Sequence, residues 1–330
     1  MILVTGASGF VGTRLCEHLR LGLGRPVRAL IHRPERAARV ARLDVELART
    51  LDLRGCDAIV HLAYATTGTA RTRRRGTEAL ARRVADAAGD RRLVHVSTAA
   101  VWGFDARGVL DETSPARPSG DAYVDGKLAA EAAVRAASAN HAILRPTNVW
   151  GPWGPAFTVA PVRALREGAV AVVGAGAGPA NVVYIDNLCH AIVRALDADA
   201  ARGETFIVND PEQPSWRELY DAYASIGGWS VRTVEPSELP RPSRLRAAAA
   251  ELAAHPRARA LARALPGRDR VRAAIQPAAG LPSPELAALQ TSGVAFATDK
   301  ARRVLGYAPP VTFERGMRLT EEWLRFARLV

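Results

Sequence analysis

Apolar runs alternate with amphipathic stretches along about the first 150 residues. The chain opens on an apolar run at 1–4, after which Val11, Leu15 and Leu19 recur at the spacing of one helix face. Further apolar runs follow at 27–31 and 93–96, and further helical patterns follow at 77–88 and 123–137. Apolar runs that alternate with helices predict an α/β fold, with a doubly wound parallel sheet covered by helices on both faces.

A glycine-rich turn at residues 5–12 joins the first strand to the first helix. Strand, glycine turn and helix in this order form the context that a dinucleotide site requires. Gly6 permits the tight turn, Gly9 lets backbone N–H groups approach the pyrophosphate, and Gly12 lets helix and strand pack closely. We therefore predict a dinucleotide site that includes six residues of this turn: Gly6, Ser8, Gly9, Phe10, Val11 and Gly12.

The residues after the second strand indicate which dinucleotide binds. Sites that prefer NAD place an acidic residue there, about 20 residues past the glycines, to bind the ribose 2′-OH. This chain has His32 and Arg33 instead, and a guanidinium can hold a 2′-phosphate through charge-assisted hydrogen bonds. The sequence therefore favours NADP(H) over NAD(H). The alternative is that Arg33 is an ordinary surface arginine.

A tyrosine and a lysine are placed for acid–base chemistry. Only two of the 45 lysine and arginine residues are lysines, Lys127 and Lys300, and Lys127 follows Tyr123 by four. On a helix this spacing places both side chains on one face. An ammonium beside a phenol favours the phenolate, so we expect the pKa of Tyr123 to lie below its ordinary value of ~10. The pair predicts a proton donor and acceptor near neutral pH, although the spacing alone also arises by chance.

Together these residues resemble the extended short-chain dehydrogenase/reductase superfamily, the NAD-dependent epimerase/dehydratase-like group. The glycine spacing Gly-x-x-Gly-x-x-Gly is of the extended type, and further segments match family signatures in order, at 57–63, 94–103, 144–152, 183–188 and 300–307. The pattern is most similar to the hydroxysteroid dehydrogenase and dihydroflavonol reductase branch. The resemblance implies a Rossmann domain and a smaller, mostly helical C-terminal substrate domain. The Rossmann domain would comprise residues 1–150 and 182–210. The substrate domain would comprise residues 151–181 and 211–330, with a helical insertion at about 241–290.

The resemblance also implies a role for each candidate residue. Thr98, with Ser97 as the fallback, binds the substrate oxygen, Tyr123 exchanges a proton with that oxygen, and Lys127 binds the nicotinamide ribose. The remaining cofactor contacts, besides Tyr123 and Lys127, are Leu62, Ala63, Pro146 and Asn148. The implied substrate contacts are Thr98, Trp102, Asn148 and Trp150.

Departures from the family pattern limit the reactions and substrates that we expect for this chain. Sugar-nucleotide dehydratases of this type carry an Asp–Glu pair after the catalytic hydroxyl, where this chain has Ala99 and Ala100. An arginine that commonly pairs with a diphosphate is replaced by Ala180. Both absences argue against a nucleoside-diphosphate sugar. Trp102 and Trp150 stand where tyrosine is common, so they either suit an apolar or aromatic substrate or pack between domains.

Composition and charge limit the class of protein. With 330 residues, 48% apolar and 24% charged, the chain is typical of globular proteins. We expect no membrane span and no signal peptide, because apolar runs are short and a strand begins at the first residue. Cys16, Cys56 and Cys189 lack metal-ligand spacing, which predicts reduced thiols, no metal site and a cytoplasmic location.

A net charge of +12 is also typical of nucleic-acid-binding proteins. However, basic residues are scattered along the chain, and no aromatic residues alternate with the basic run at 71–75. We therefore predict a small-molecule substrate and no nucleic-acid partner. A homodimer is the assembly to consider, and the segment at about 241–290 is a candidate for either a lid or an oligomer contact.

The sequence thus predicts an NAD(P)-dependent oxidoreductase that interconverts a carbonyl and a secondary alcohol on a fairly apolar small molecule. One alternative is a nucleoside-diphosphate-sugar 4-epimerase, which would purify with tightly bound NAD. A second alternative is a non-catalytic NADP(H)-sensing protein, and the presence of both Tyr123 and Lys127 weighs against it.

Overall fold

The computed structural model describes residues 1–239 and 281–330. Its strands, in chain order, are β1 (Ile2–Thr5), β2 (Val27–Leu30), β3 (Glu46–Ala48), β4 (Ala58–His61), β5 (Arg92–Val96), β6 (Val109–Leu110), β7 (His141–Pro146), β8 (Asn148–Trp150), β9 (Ala171–Val173), β10 (Val182–Tyr184), β11 (Glu204–Val208), β12 (Arg232–Val234) and β13 (Ala295–Phe296).

The α-helices of the described residues are α1 (Phe10–Glu17), α2 (Ala70–Ala88), α3 (Ala122–Ala137), α4 (Ala160–Arg166), α5 (Ile185–Asp197), α6 (Trp216–Gly227), α7 (Pro284–Ser292), α8 (Asp299–Leu305) and α9 (Phe313–Phe326). Most of the predicted insertion at about 241–290 lies outside the described residues. Its last part includes the first turns of α7.

Seven parallel strands form the main sheet, in the order β11-β7-β5-β4-β1-β2-β3. They all lie within the ranges predicted for the Rossmann domain, 1–150 and 182–210. The strand order reverses beside β1. The chain first adds β2 and β3 on one side of β1, and it then crosses over to add β4 and β5 on the other side. In open sheets of this type, ligands bind at the carboxyl ends of the strands next to this reversal.

Helices cover both faces of the sheet because side chains alternate along each strand. On one face, Leu3 and Ile59 pack against the buried alanines and valines of α2 and α3. On the other face, Val4 and Val60 belong to the same core as Leu15 of α1 and residues of α5. The predicted doubly wound parallel sheet is therefore confirmed.

Three two-stranded parallel sheets, β8–β10, β9–β12 and β6–β13, lie outside the main sheet. Lys300 at the start of α8 donates to Glu204 of β11 at 2.6 Å, so the last part of the chain is bound to the edge strand of the main sheet.

The final helix, α9, packs against aromatic rings from the middle of the chain. A Cβ atom at Gly316 would lie 2.9 Å from the Tyr184 ring and 3.0 Å from the Trp150 ring. The Trp150 ring centroid is also 5.2 Å from that of Phe313. Glycine at this position therefore lets the backbone of α9 approach the two rings closely.

Candidate active site

The glycine turn is held together by backbone contacts. Gly6 has a φ of +69°, a conformation that glycine adopts readily. The Gly9 N–H donates to the Gly6 carbonyl at 2.9 Å. A Cβ atom at Gly12 would lie only 2.2 Å from the same carbonyl oxygen, so a side chain there would force the turn and α1 apart.

The first turn of α1 offers its N–H groups to a ligand. Gly9 precedes the helix and provides no side-chain cap, and the first turn has no acidic residue. Ser8 lies in the glycine turn before the helix, and Phe10 and Val11 lie in the first turn of α1. Uncapped N–H groups at a helix N-terminus suit a phosphate, so the turn fits the pyrophosphate of a dinucleotide.

The Thr5 hydroxyl connects the turn to the end of β4. It accepts hydrogen bonds from the N–H groups of Leu62 and Ala63 at 3.2 and 3.3 Å, and it lies 2.7 Å from Nδ1 of His61. A Cβ atom at Gly6 would be 3.0 Å from the Ala63 nitrogen. The structure therefore brings the predicted cofactor contacts Leu62 and Ala63 against the glycine turn.

His32 and Arg33 follow β2 at the same edge of the sheet. The last residue of β2, Leu30, pairs with Thr5, which directly precedes the glycine turn. His32 is exposed and Arg33 is half-buried. Both residues thus lie at the carboxyl end of β2, where the adenosine ribose of a dinucleotide is bound in folds of this type.

Asp121 fixes the start of α3 and with it the position of Tyr123. Its carboxylate accepts hydrogen bonds from the N–H groups of Tyr123 and Val124, both at 2.9 Å. Sequence reasoning missed Asp121, although an aspartate directly before a helical pattern is a recognised start signal.

Lys127 is a buried cation one turn further along α3. It is 3% exposed, and Nζ donates to the Val96 carbonyl oxygen at 2.7 Å. Burial lowers the pKa of Lys127 to about 8, since charge is costly away from water, while Glu131 opposes the shift. Glu131 itself is held by two hydrogen bonds from Arg145, at 3.0 and 2.7 Å.

The predicted lowering of the Tyr123 pKa is wrong in this structure. The residue is 40% exposed, but its hydroxyl lies inside the protein, and this burial raises the pKa to about 12. The Thr98 hydroxyl acts in the opposite direction by hydrogen bonding, and Lys127 does not contribute. Desolvation therefore outweighs the effect expected from a lysine four residues away.

Thr98, rather than the fallback Ser97, faces Tyr123. The Thr98 hydroxyl lies close enough to the Tyr123 hydroxyl to stabilise its phenolate, and it also accepts from the Ala100 N–H at 3.2 Å. Ser97 is 3% exposed and lies beside Glu131. The structure therefore brings together the three predicted catalytic residues: Thr98, Tyr123 and Lys127.

Tyr64 belongs to this group and was not predicted. Its ring centroid is 5.5 Å from that of Tyr123, with an angle of 69° between the rings. The Lys127 ammonium nitrogen lies 5.3 Å from the Tyr64 ring centroid. Tyr64 comes directly after the predicted contacts Leu62 and Ala63, but no sequence spacing relates it to α3.

Trp150 does not lie where a substrate can contact it. Its side chain is fully buried, and its ring centroid is 5.1 Å from that of Tyr184. This burial contradicts the predicted substrate contact and agrees with the alternative of packing between segments. Trp102 is 7% exposed, donates to the Ser114 carbonyl at 2.9 Å and lies under the Arg145 guanidinium.

Pro146 and Asn148 lie at the end of β7 and the start of β8. Pro146 is buried and Asn148 is half-buried. The Asn148 amide donates to the Ala180 carbonyl at 2.7 Å, which leaves its side-chain oxygen available. Contacts of Trp102, Pro146 and Asn148 with a ligand stay predictions.

A cleft of about 240 Å³ lies elsewhere, between α1, the loop after β8, and α9. The Arg39 guanidinium lies 4.4 Å from the Trp153 ring centroid, and Trp323 lies 5.2 Å from the same ring. No member of the catalytic group lines this cleft. This cleft is therefore distinct from the candidate active site formed by Thr98, Tyr123 and Lys127.

In residues 1–239 and 281–330, no helix combines the length and the apolar character needed to cross a membrane.

Comparisons with known proteins identify the family and relatives of this chain. The family model "NAD dependent epimerase/dehydratase family" matches residues 2–209. A ketoreductase of Stigmatella aurantiaca, which acts on 4-hydroxy-2-methyl-3-oxo-4-farnesyl-3,4-dihydroquinoline-1-oxide, is 30% identical over 337 residues, covering 95% of this chain and 93% of that relative. A UDP-glucose 4-epimerase of Vibrio cholerae is 27% identical over 245 residues, covering 66% of this chain and 73% of the epimerase.

Solved structures show the same fold. One is the UDP-glucuronic acid 4-epimerase of Bacillus cereus in complex with UDP-glucuronic acid and NAD. It superposes with a TM-score of 0.69 at 19% identity and covers 99% of both chains.

Proposed function

We propose that this chain, which belongs to the NAD-dependent epimerase/dehydratase family, is an NADPH-dependent ketoreductase that acts on a fairly apolar small molecule. The observation that carries the proposal is the group formed by Thr98, Tyr123 and Lys127. It combines two hydroxyls beside each other with a buried ammonium at the carboxyl end of β5.

Tyr123 is suited to donate a proton. Because burial raises its pKa to about 12, the phenol is protonated at neutral pH. Reduction of a carbonyl requires a proton on its oxygen, and a protonated phenol beside the Thr98 hydroxyl can supply that proton. Thr98 would hold the carbonyl oxygen, and Tyr123 would release its proton to that oxygen.

The glycine turn and the end of β4 would hold the cofactor. The backbone N–H groups around Gly9 would bind the pyrophosphate, Gly6 and Gly12 would shape the turn, and Lys127 would bind the ribose next to the nicotinamide. A bound nicotinamide cofactor would supply the hydride. We propose NADPH rather than NADH because His32 and Arg33 replace the acidic residue that binds the 2′-OH of NAD.

Three positions support an apolar substrate over a sugar nucleotide. Ala99 and Ala100 leave the site without the acid and base of dehydratases, and Ala180 replaces an arginine that commonly pairs with a diphosphate. Ala180 is completely buried, so an arginine would not be accommodated there without rearrangement. The similarity to a ketoreductase of a farnesylated quinoline over almost the whole chain supports the same substrate class.

The test is a panel of ketones, from small methyl ketones to bicyclic aromatic ones, assayed for oxidation of NADPH and of NADH. We expect turnover of apolar ketones with NADPH. A parallel arm measures interconversion of UDP-glucose and UDP-galactose without added cofactor, and activity there would identify an epimerase instead. Binding of NADPH without turnover in either arm would favour a non-catalytic sensor.

A further inference from the structure

Tyr64 is a large aromatic residue that is 45% exposed and yet contacts both Tyr123 and the buried Lys127. Its backbone is fixed on both sides. The Ala63 N–H donates to the Thr5 hydroxyl at 3.3 Å, and the Ala65 N–H donates to the Thr77 hydroxyl at 3.1 Å. The loop that carries Tyr64 is thereby tied to both β1 and α2.

The ring of Tyr64 meets that of Tyr123 edge to face. A centroid distance of 5.5 Å and an interplanar angle of 69° correspond to the favourable T-shaped arrangement of two aromatic rings. Tyr123 lies in the first turn of α3, where a side chain has few neighbours within its own helix. The contact with Tyr64 therefore restricts the directions in which the Tyr123 hydroxyl can point.

The same ring approaches the Lys127 ammonium, whose nitrogen lies 5.3 Å from the Tyr64 centroid. This distance is within the range of a cation–π interaction, which is strongest where the cation is desolvated. The other titratable groups around Lys127 are Glu131 on α3 and the neutral, buried imidazoles of His61 on β4 and His95 on β5. Glu131 is shared with Arg145 and Arg135.

Within the part of the chain that the structure describes, Glu131 is the one carboxylate that acts on Lys127, and it is already paired with two arginines. Tyr64 thus contributes a π face to this cation. We propose that Tyr64 is a positioning residue, whose ring holds the Lys127 ammonium and the Tyr123 ring in their catalytic arrangement. This inference rests on the proposed function for its catalytic meaning. The effect of the Tyr64 ring on Lys127 can be measured without any enzyme activity.

The matched variants are Tyr64→Phe, which keeps the ring and loses the hydroxyl, and Tyr64→Leu, which keeps apolar bulk and loses the ring. Because the chain has only two lysines, uniform ¹³C labelling of lysine gives two Cε signals. In a Lys300→Arg background, the Lys127 signal is the one that remains. The pH titration of this signal then reports the ionisation of Lys127 directly.

We expect Tyr64→Leu to lower the titration midpoint of Lys127 by about one pH unit, since loss of a desolvated cation–π contact destabilises the ammonium. Tyr64→Phe should leave the midpoint within ~0.3 pH units of the parent, because the π face remains. An unchanged or raised midpoint in Tyr64→Leu, or equal shifts in both variants, would overturn the proposal. If Tyr64→Leu does not fold, Tyr64→Met replaces it in the comparison with Tyr64→Phe.

The kinetic arm separates this inference from the proposed function. With an active ketone, the alkaline limb of the kcat/KM profile should move in Tyr64→Leu in the same direction as the Lys127 midpoint. A shifted midpoint in a protein that reduces no ketone would leave the role of Tyr64 at Lys127 intact and refute only the reductase assignment. A merely structural role for Tyr64 would lower thermal stability and leave both titrations in place.

Discussion

The glycine turn at residues 5–12 and the catalytic segment at 121–131 reach the same edge of the sheet from opposite faces. The turn is made by backbone: a positive φ at Gly6, the carbonyl of Gly6 and uncapped N–H groups of α1. The catalytic segment is made by side chains whose properties depend on burial and on partners far away in sequence. The first region is therefore specified by adjacent residues, and the second by the packing of the whole domain.

The largest effect is expected from removing the proton donor while the turn is left intact. Tyr123→Phe should lower kcat by ~10²–10⁴-fold, the range typical of general acid catalysis. Affinity for NADPH, measured by fluorescence titration, should stay within about twofold, because the aromatic ring at position 123, Lys127 and the glycine turn are all retained. Loss of cofactor affinity in parallel with kcat would show that the two regions are not separable.

The reverse experiment breaks the turn and leaves the catalytic side chains in place. Gly12→Ala puts a methyl group where 2.2 Å separates it from the Gly6 carbonyl oxygen, and overpacking of this kind costs ~1–3 kcal/mol. We expect the Kd for NADPH to rise by ~10–100-fold. Gly22→Ala is the matched control, since a Cβ atom there would be no closer than 3.8 Å to its neighbour. Equal effects of both substitutions would refute this account.

The pH dependence distinguishes the two regions through Lys127. The ammonium form donates to the Val96 carbonyl, and its pKa is lowered to about 8. Activity should therefore be full well below pH 8, half-maximal near pH 8, and fall about tenfold for each further pH unit at higher pH. The Tyr123 pKa of about 12 is too high to produce this limb. A kcat/KM profile that stays flat to pH 10 would contradict the assignment.

The smallest expected effect lies at the far end of the cofactor site. Arg33→Ala should reduce the preference for NADPH over NADH by ~5–10-fold, as expected for one partly exposed charge-assisted hydrogen bond. The comparison of the two cofactors is its own control, since damage to the fold would weaken both. Equal losses for NADPH and NADH would remove the basis for choosing NADP(H).

Local patterns were sufficient to predict much of the molecule. The doubly wound sheet follows from apolar runs alternating with helices, and the resemblance to extended short-chain dehydrogenases/reductases is confirmed by the family match over residues 2–209. That match also confirms the prediction of an NAD(P)-dependent enzyme of this type. The glycine turn was predictable residue by residue because strand, turn and helix are consecutive in sequence.

The parts that could not be predicted depend on contacts between distant residues. Spacing places Tyr123 and Lys127 on one helix face, but only the packed structure shows that burial, and not the ammonium, controls the Tyr123 pKa. Tyr64 and Tyr123 are brought together by the sheet and by no motif. Trp150 occupies a signature position next to the site, yet its ring turns into the core.

The close approach at Gly316 has a practical consequence for the carboxyl-terminal end of the fold. Because α9 rests directly on the rings of Trp150 and Tyr184, a chain shortened before Phe313 would leave two large rings uncovered beside the segment that leads out of β7. The last helix is thus not an appendage that can be trimmed to obtain a minimal nucleotide-binding unit. It is the element that covers the rings of Trp150 and Tyr184.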